Sequence, residues 1–151
     1  MTPSVEQIRK SLIPLAAHTA RQWRRVIDRQ LEPLGLTEAT WLALVHLARA
    51  PEPMRQKDLA ASLTLDSSSV VRLLDALQSA GFIERQENAD RRAKTIHLTA
   101  RGRAIVEQVE EVASDARKRL LGGMPVADME TTFRVLNQIS GTLAHALEQP
   151  L

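Results

Sequence analysis

The chain has 151 residues, of which 44% are hydrophobic and 25% charged, values typical of a globular protein with one compact domain or one domain plus an oligomerisation element. Cysteine is absent, which excludes disulfides, thiolate metal sites and thiol redox sensing. Because the sequence has no apolar run long enough to span a membrane and no recognisable signal peptide, we expect a cytoplasmic protein.

The N-terminal segment predicts one long helix. Apolar residues recur every three or four positions from Val5 to Leu34. Pro14 lacks the backbone N–H that a helix interior uses, so it could kink this helix or mark where its regular part begins. Pro33 and Gly35 are expected to end the helix.

Three shorter helices follow. Thr37 is a suitable N-cap for the second helix, and the prolines of segment 51–53 end it. A third helix is predicted from Gln56 to Leu63. Asp66 can cap the fourth helix, and Gly81 suits the left-handed position that closes it.

Alternating apolar residues then predict a hairpin. The strands are expected at 82–87 and 94–98, with residues 88–93 as the loop. Thr99 is positioned to cap a fifth helix, and the Gly122–Pro125 segment separates it from a sixth. The predicted order is ααααββαα, a mainly α fold with a small β-wing: a winged helix-turn-helix at 35–100, flanked by N-terminal (1–34) and C-terminal (101–151) dimerisation helices.

The dimerisation helices are inferred from apolar stripes that the small central domain has no room to cover. The stripe of the sixth helix consists of Met129, Phe133, Leu136, Ser140, Leu143 and Leu147. A second copy of the chain is the simplest partner, and a two-fold dimer would suit paired DNA half-sites. A monomer that folds all the helices onto one core is the alternative.

Charge distribution, rather than the net charge of +2, points to nucleic acid. No acidic residue lies between positions 91 and 103, a segment that contains Arg91, Arg92, Lys94, Arg101 and Arg103. Such a local excess of cations can neutralise phosphates and release counterions. A solvated basic surface is the alternative interpretation.

The fourth helix is the candidate reader of DNA bases. Ser67, Ser68 and Ser69 form its first turn, and Arg72 shares a face with Ser68 and Ser69, opposite the apolar stripe. An arginine can donate two hydrogen bonds to guanine, whereas serine hydroxyls can contact bases or phosphates. Alternatively, Arg72 pairs with Asp75 or a glutamate on a solvated helix face.

Three segments of the chain, at 23–44, 56–86 and 90–102, follow a known pattern; the last, DRRAKTIHLTARG, contains a D-x-R-x-K wing followed by LT-x-x-G. In these segments the chain resembles the MarR family of winged-helix transcription regulators, and in particular its SlyA-like branch. The resemblance implies a triangular homodimer that pairs helices one, five and six. Its winged helices would straddle a pseudo-palindromic operator in double-stranded DNA.

The resemblance also assigns roles within the wing. Arg92, in the third position of D-x-R-x-K, corresponds to the arginine that enters the minor groove, where the negative potential of A·T-rich DNA attracts a guanidinium. Asp90 is expected to brace the wing, and Arg91 and Lys94 to meet phosphates. A disordered loop tip is the alternative for each of these residues.

Further phosphate contacts are predicted where the third helix begins. Arg55, Gln56 and Lys57 lie there, and a helix N-terminus favours anions. Arg85, Arg101 and Arg103 are weaker candidates for the same role.

Many proteins that the chain resembles respond to aromatic carboxylates. A pocket for a salicylate-like ligand could be lined by His18, Arg21, Trp23, Arg25 and Trp41, with indoles for stacking and cations for the carboxylate. The alternative is that both tryptophans belong to the core.

No enzyme is predicted. The four histidines have no metal-ligand spacing, and the sequence has no nucleophile–base pair or phosphate-binding glycine loop, so neither a metal nor a cofactor is expected. We therefore predict a homodimeric, sequence-specific transcriptional regulator that excludes polymerase or displaces another DNA-binding protein. Operator position decides whether it acts as a repressor or an activator. A winged-helix protein-interaction module without direct DNA reading is the alternative.

Overall fold

The computed structural model describes residues 2–87 and 94–149. The chain divides into two compact units, Met1–Ser114 and Asp115–Leu151. The described helices are α1 (Val5–Leu31), α2 (Glu38–Arg49), α3 (Gln56–Leu63), α4 (Ser67–Ser79), α5 (Ala100–Leu121) and α6 (Val126–Glu148). The described strands are β1 (Met54–Arg55), β2 (Ile83–Glu87) and β3 (Lys94–Leu98). The predicted mainly α fold with a small sheet is confirmed.

The first helix is regular from its capped start. The Ser4 hydroxyl accepts a hydrogen bond from the Gln7 backbone N–H at 3.2 Å, and the Gln7 side chain accepts one from the Ser4 N–H at 2.7 Å. The helix continues through Pro14. It ends three residues earlier than predicted, because Pro33 lacks an N–H and residues Glu32–Leu34 form a tighter 3-10 turn.

The sheet has a third strand, β1, that the sequence does not predict. β3 lies between β1 and β2, and both pairings are antiparallel. Met54 pairs with Ile96 in β1–β3, and Ile83 pairs with Leu98 in β2–β3. The predicted order ααααββαα was therefore wrong by one strand, because two residues between Pro53 and α3 are too few to show alternation.

The helix-turn-helix is closed by residues in left-handed conformation. Thr64, which follows α3, has a φ of 55°, and Gly81, just after α4, has a φ of 78°. Between them, Val70, Leu74 and Leu77 point into the core and are at most 1% exposed. The predicted stop at Gly81 is confirmed.

The start of α5 is tied to the end of α4. The Thr99 hydroxyl accepts from the Gly102 N–H at 3.1 Å and donates to the Gly81 carbonyl at 2.6 Å. The Thr99 N–H donates to the Phe82 carbonyl at 3.1 Å. Thr99 is thus the predicted helix cap. It also fixes the base of the wing against the end of α4, which is the predicted recognition helix.

Candidate nucleic-acid interface

The first turn of α4 presents polar side chains outward. Ser67, Ser68 and Arg72 are exposed and Ser69 is half-buried, while the apolar stripe of the same helix faces the core. This division into two faces is the one that the sequence spacing predicts. It leaves a polar surface about one and a half turns long for contact with a duplex.

The cap of α4 orients its serines. One Asp66 carboxylate oxygen accepts from the Ser69 backbone N–H at 2.7 Å and from the Ser68 hydroxyl at 2.9 Å. These hydrogen bonds, that to the Ser69 N–H foremost, lower the pKa of Asp66. Because the single Ser68 hydroxyl proton is donated to Asp66, the Ser68 oxygen has only lone pairs to offer a ligand.

Arg72 does not pair with Asp75. Instead, Arg85 of β2 donates from Nη2 to Asp75 Oδ1 and from Nε to Gln78 Oε1, both at 2.6 Å. Arg72 has no ion pair or side-chain hydrogen bond with another residue in ranges 2–87 and 94–149. Its guanidinium is therefore available to a partner outside the described chain.

Arg85, a weaker candidate for phosphate contact, joins the recognition helix to the wing strand instead. Its two partners lie seven and ten residues before it, and its side chain is 25% exposed. Sequence spacing could not reveal this connection, because it depends on how β2 folds back along α4. The contact fixes the direction in which the wing leaves the helix.

The residues at the start of α3 lie together but differ in exposure. Arg55 and Lys57 are exposed, and Gln56 is half-buried. The Arg55 backbone N–H donates to Asp58 Oδ2 at 3.1 Å, so a carboxylate already occupies part of this helix N-terminus. The side chains of Arg55 and Lys57 are the parts that remain available for phosphates.

The described part of the wing is its base. Lys94 is exposed at the start of β3, whereas Asp90, Arg91 and Arg92 lie outside the described residues. The other two cations of the predicted basic run have structural contacts. Arg101 lies over the Phe82 ring at 5.2 Å from its centroid, and Arg103 Nη1 donates to the Leu98 carbonyl at 2.9 Å.

The five residues of the predicted ligand pocket have different surroundings. Trp41 is 4% exposed and donates its indole N–H to Asp28 Oδ1 at 3.1 Å, as a core tryptophan does. Trp23 is half-buried, while His18, Arg21 and Arg25 are exposed on α1. A cavity of about 190 Å³ beside Arg25 is lined by Gln22, Arg25, Val26 and Arg29, without either tryptophan.

Large apolar side chains are exposed at both ends of the chain. The N-terminal half of α1 exposes Val5, Ile8, Leu12, Ile13 and Leu15, each by at least 37%. In the second unit, α6 has no buried residue in the single chain, and Phe133 is 71% exposed. Its exposed stripe includes Met129, Phe133, Leu136, Leu143 and Leu147.

Two other kinds of site were sought in the described residues. No group of three or more histidine, aspartate or glutamate residues there could hold a metal ion. None of the described helices combines the length and apolar character needed to cross a membrane.

The geometry agrees with comparisons to known proteins. A sequence model of the MarR family matches residues 34–93. The crystal structure of the transcriptional regulator PA3341 has 36% sequence identity and a TM-score of 0.80, and the match covers 89% of this chain and 98% of that one. The chain belongs to the MarR family. It is a DNA-binding transcriptional regulator and not an enzyme, as predicted.

Two further MarR-like structures were solved with ligands. CouR from Rhodococcus jostii RHA1, bound to p-coumaroyl-CoA, is 27% identical with a TM-score of 0.68, and the match covers 91% of this chain and 92% of CouR. A mutant of S. aureus MepR, bound to an oligodeoxyribonucleotide, is 25% identical with a TM-score of 0.60, and the match covers 87% and 97% of the two chains. MarR-like chains thus bind DNA in one case and a small molecule in the other.

Proposed function

We propose that this MarR regulator binds a pseudo-palindromic operator as a homodimer, with α4 in the major groove and the wing in the minor groove. The observation that carries the proposal is the free Arg72 guanidinium on the exposed face of α4, beside an Asp75 that Arg85 already occupies. An unpaired arginine that projects from a recognition helix can donate two parallel hydrogen bonds to guanine O6 and N7.

Ser68 would make a second contact with a DNA base. Its proton is donated to Asp66, so its oxygen would accept a hydrogen bond from an exposed base amino group on cytosine or adenine. A phosphate oxygen has no proton to donate, which makes phosphate a poor partner for Ser68 while the cap is intact. Ser67 and Ser69 would lie at the edge of the same contact.

Contacts with DNA phosphates would fix the position of α4 along the duplex. Arg55, Gln56 and Lys57 would meet one backbone strand from the start of α3, and Arg91 and Lys94 would meet it from the wing. Arg92 would enter the minor groove, with Asp90 as its brace. This division of roles rests on the matched wing pattern and on the exposure of Arg55, Lys57 and Lys94.

A second copy would cover the apolar ends. Exposed side chains such as Phe133 in α6 and Val5 in α1 form surfaces that water disfavours, and a two-fold partner would bury them. We expect Phe133→Asp to shift the protein toward monomers in sedimentation analysis. Thr131→Asp, which adds the same charge on the opposite face of α6, should leave a dimer. A Phe133→Asp variant that stays dimeric would contradict this assignment.

Footprinting on genomic DNA tests the whole proposal. Wild type should protect discrete sites with internal two-fold symmetry, and Arg72→Ala should lose discrimination at one base pair in each half-site, worth about 1–3 kcal/mol. Uniform weakening on all sequences would make Arg72 a phosphate contact instead. The absence of any protected site would favour the protein-interaction alternative.

A response to small aromatic carboxylates is proposed for the same regulator. CouR, bound to a coumaroyl thioester, supports a ligand role in this fold. His18, Arg21 and Arg25 would supply positive charge, and Trp23 and Trp41 would supply rings or, in the case of the buried Trp41, a fluorescent reporter. Salicylate should quench tryptophan fluorescence and weaken DNA binding, and the absence of both signals up to millimolar ligand would contradict the proposal.

Three other assignments are part of the proposal. The SlyA-like branch is supported by the D-x-R-x-K wing and the LT-x-x-G segment. The functional division into 1–34, 35–100 and 101–151 follows from the roles given to each part. A cytoplasmic location follows from DNA as the partner.

A further inference from the structure

The C-terminal part of α1 carries three exposed arginines that have no partner among the residues that the structure describes. Arg21, Arg25 and Arg29 are four residues apart, so they lie on one helix face, and the helical rise separates the first and last by about 12 Å. None of the three forms an ion pair or a side-chain hydrogen bond with another residue that the structure describes. These three residues are called the arginine row.

The nearest charged side chains of α1 are used elsewhere. Asp28 accepts the indole N–H of Trp41, and Arg24 is held by Glu38 at 3.2 Å. Like charges four residues apart on a helix repel each other. The arginine row is therefore unfavourable for the isolated helix, and a bound anion would relieve this repulsion.

A small, open cavity of about 190 Å³ lies beside the row. It is lined by Arg25 and Arg29 of the row, together with Gln22 and the half-buried Val26. Guanidinium groups are planar and donate paired hydrogen bonds to phosphate oxygens. A monocarboxylate such as salicylate would pair with only one arginine of the row, Arg21 or Arg25, whereas a molecule with several phosphates could pair with all three.

We propose that the arginine row binds a small organic molecule that carries two or more phosphate groups. Duplex DNA is the competing occupant, since its backbone is also a row of phosphates. The cavity lined by Arg25 and Arg29 favours the small molecule, because a DNA backbone that ran along the row would leave this cavity unfilled. Any effect of the bound molecule on transcription rests on the proposed function, but the binding itself does not.

Calorimetric titration of the full chain at fixed ionic strength tests the site. The probes are inorganic triphosphate and adenosine 3′,5′-bisphosphate, with inorganic monophosphate and salicylate for comparison. Arg25→Gln/Arg29→Gln removes two members of the row, and the matched control is Arg9→Gln/Arg134→Gln, which removes the same charge from two exposed positions outside it. We expect at least about tenfold weaker binding of both polyphosphates in the first variant and about twofold or less in the control.

Three results of these titrations would contradict the proposed polyphosphate site. Absence of polyphosphate binding by wild type at millimolar concentration, or an equal loss in both double variants, would overturn the proposal. So would a row variant whose only defect is weaker DNA binding, since DNA would then be the occupant. If wild type binds the polyphosphates but protects no DNA in the footprint, the operator proposal fails while the site on α1 stands.

Discussion

Replacing Gly102 by alanine would test how the wing is anchored to the recognition helix. A Cβ built at Gly102 would overlap the Phe82 carbonyl oxygen and lie 3.1 Å from the Phe82 carbonyl carbon and 3.3 Å from Leu98 Cδ2. Because the first obstacle is backbone, no side-chain rotation can relieve it. The first turn of α5 would have to move away from β2.

The cost can be assembled from the contacts at this point. Movement of α5 would strain two hydrogen bonds of Thr99, to the carbonyls of Phe82 and Gly81, each worth about 1 kcal/mol. Overpacking adds about 1–3 kcal/mol, and the better helix propensity of alanine offsets about 1 kcal/mol. We therefore expect the unfolding free energy to fall by about 2–4 kcal/mol and the Tm by about 4–16 °C.

The assay is thermal and urea unfolding at a fixed protein concentration, because dimerisation would make both values depend on concentration. Gly123→Ala is the matched control, since its new Cβ would meet nothing within 4 Å. The control should keep its Tm within about 2 °C of wild type. A Gly102→Ala variant that is equally unaffected would refute the proposed anchor.

Three further predictions concern single side chains. Arg92→Ala should weaken operator binding by more than about tenfold, without lowering the Tm, if this arginine enters the minor groove; normal binding in a fluorescence anisotropy titration would exclude that role. Arg85→Gln should weaken operator binding by about fivefold, although Arg85 is assigned no DNA contact, because the substitution removes the hydrogen bonds that join β2 to α4. Unchanged affinity in an anisotropy titration would show that the direction of the wing does not depend on Arg85. Burial and the nearby Arg49 lower the pKa of His46 below its ordinary 6.5, so the folded state resists a proton that the unfolded state binds, and stability present above pH 6.5 should be lost as pH falls below it. Urea unfolding between pH 7.5 and 5.5 should show a smaller loss for His46→Gln than for wild type, and parallel curves would contradict the prediction.

Local rules predicted most of the helical boundaries. Thr37, Asp66 and Thr99 were expected as caps because their side-chain oxygens can accept backbone N–H groups, and each does so. Gly81 was expected as a helix stop because only a glycine adopts the left-handed conformation without steric cost, and its φ of 78° agrees. Features of this kind depend on neighbours within four residues, which the sequence displays directly.

Contacts between segments that are far apart in the chain could not be predicted from the sequence. β1 exists because Met54 and Arg55 pair with β3, some 40 residues later in the chain, and two residues carry no periodic signal. The Arg85 contact with Asp75 and the cation–π contact of Arg101 with Phe82 likewise require the folded wing. For this reason the sequence alone suggests phosphate contacts for Arg85, Arg101 and Arg103, whereas their side chains contact other parts of the folded chain.

We propose that two copies of the α4 surface and the wing read a two-fold symmetric DNA site. Selection of bound fragments from random duplex DNA, with wild type and Arg72→Ala in parallel, would test this proposal. We expect an enriched inverted repeat whose half-sites are about one helical turn apart, roughly 10 base pairs, with one position in each half-site relaxed in the variant. Fragments without a shared symmetric motif, or the same motif with equal stringency in both proteins, would contradict it.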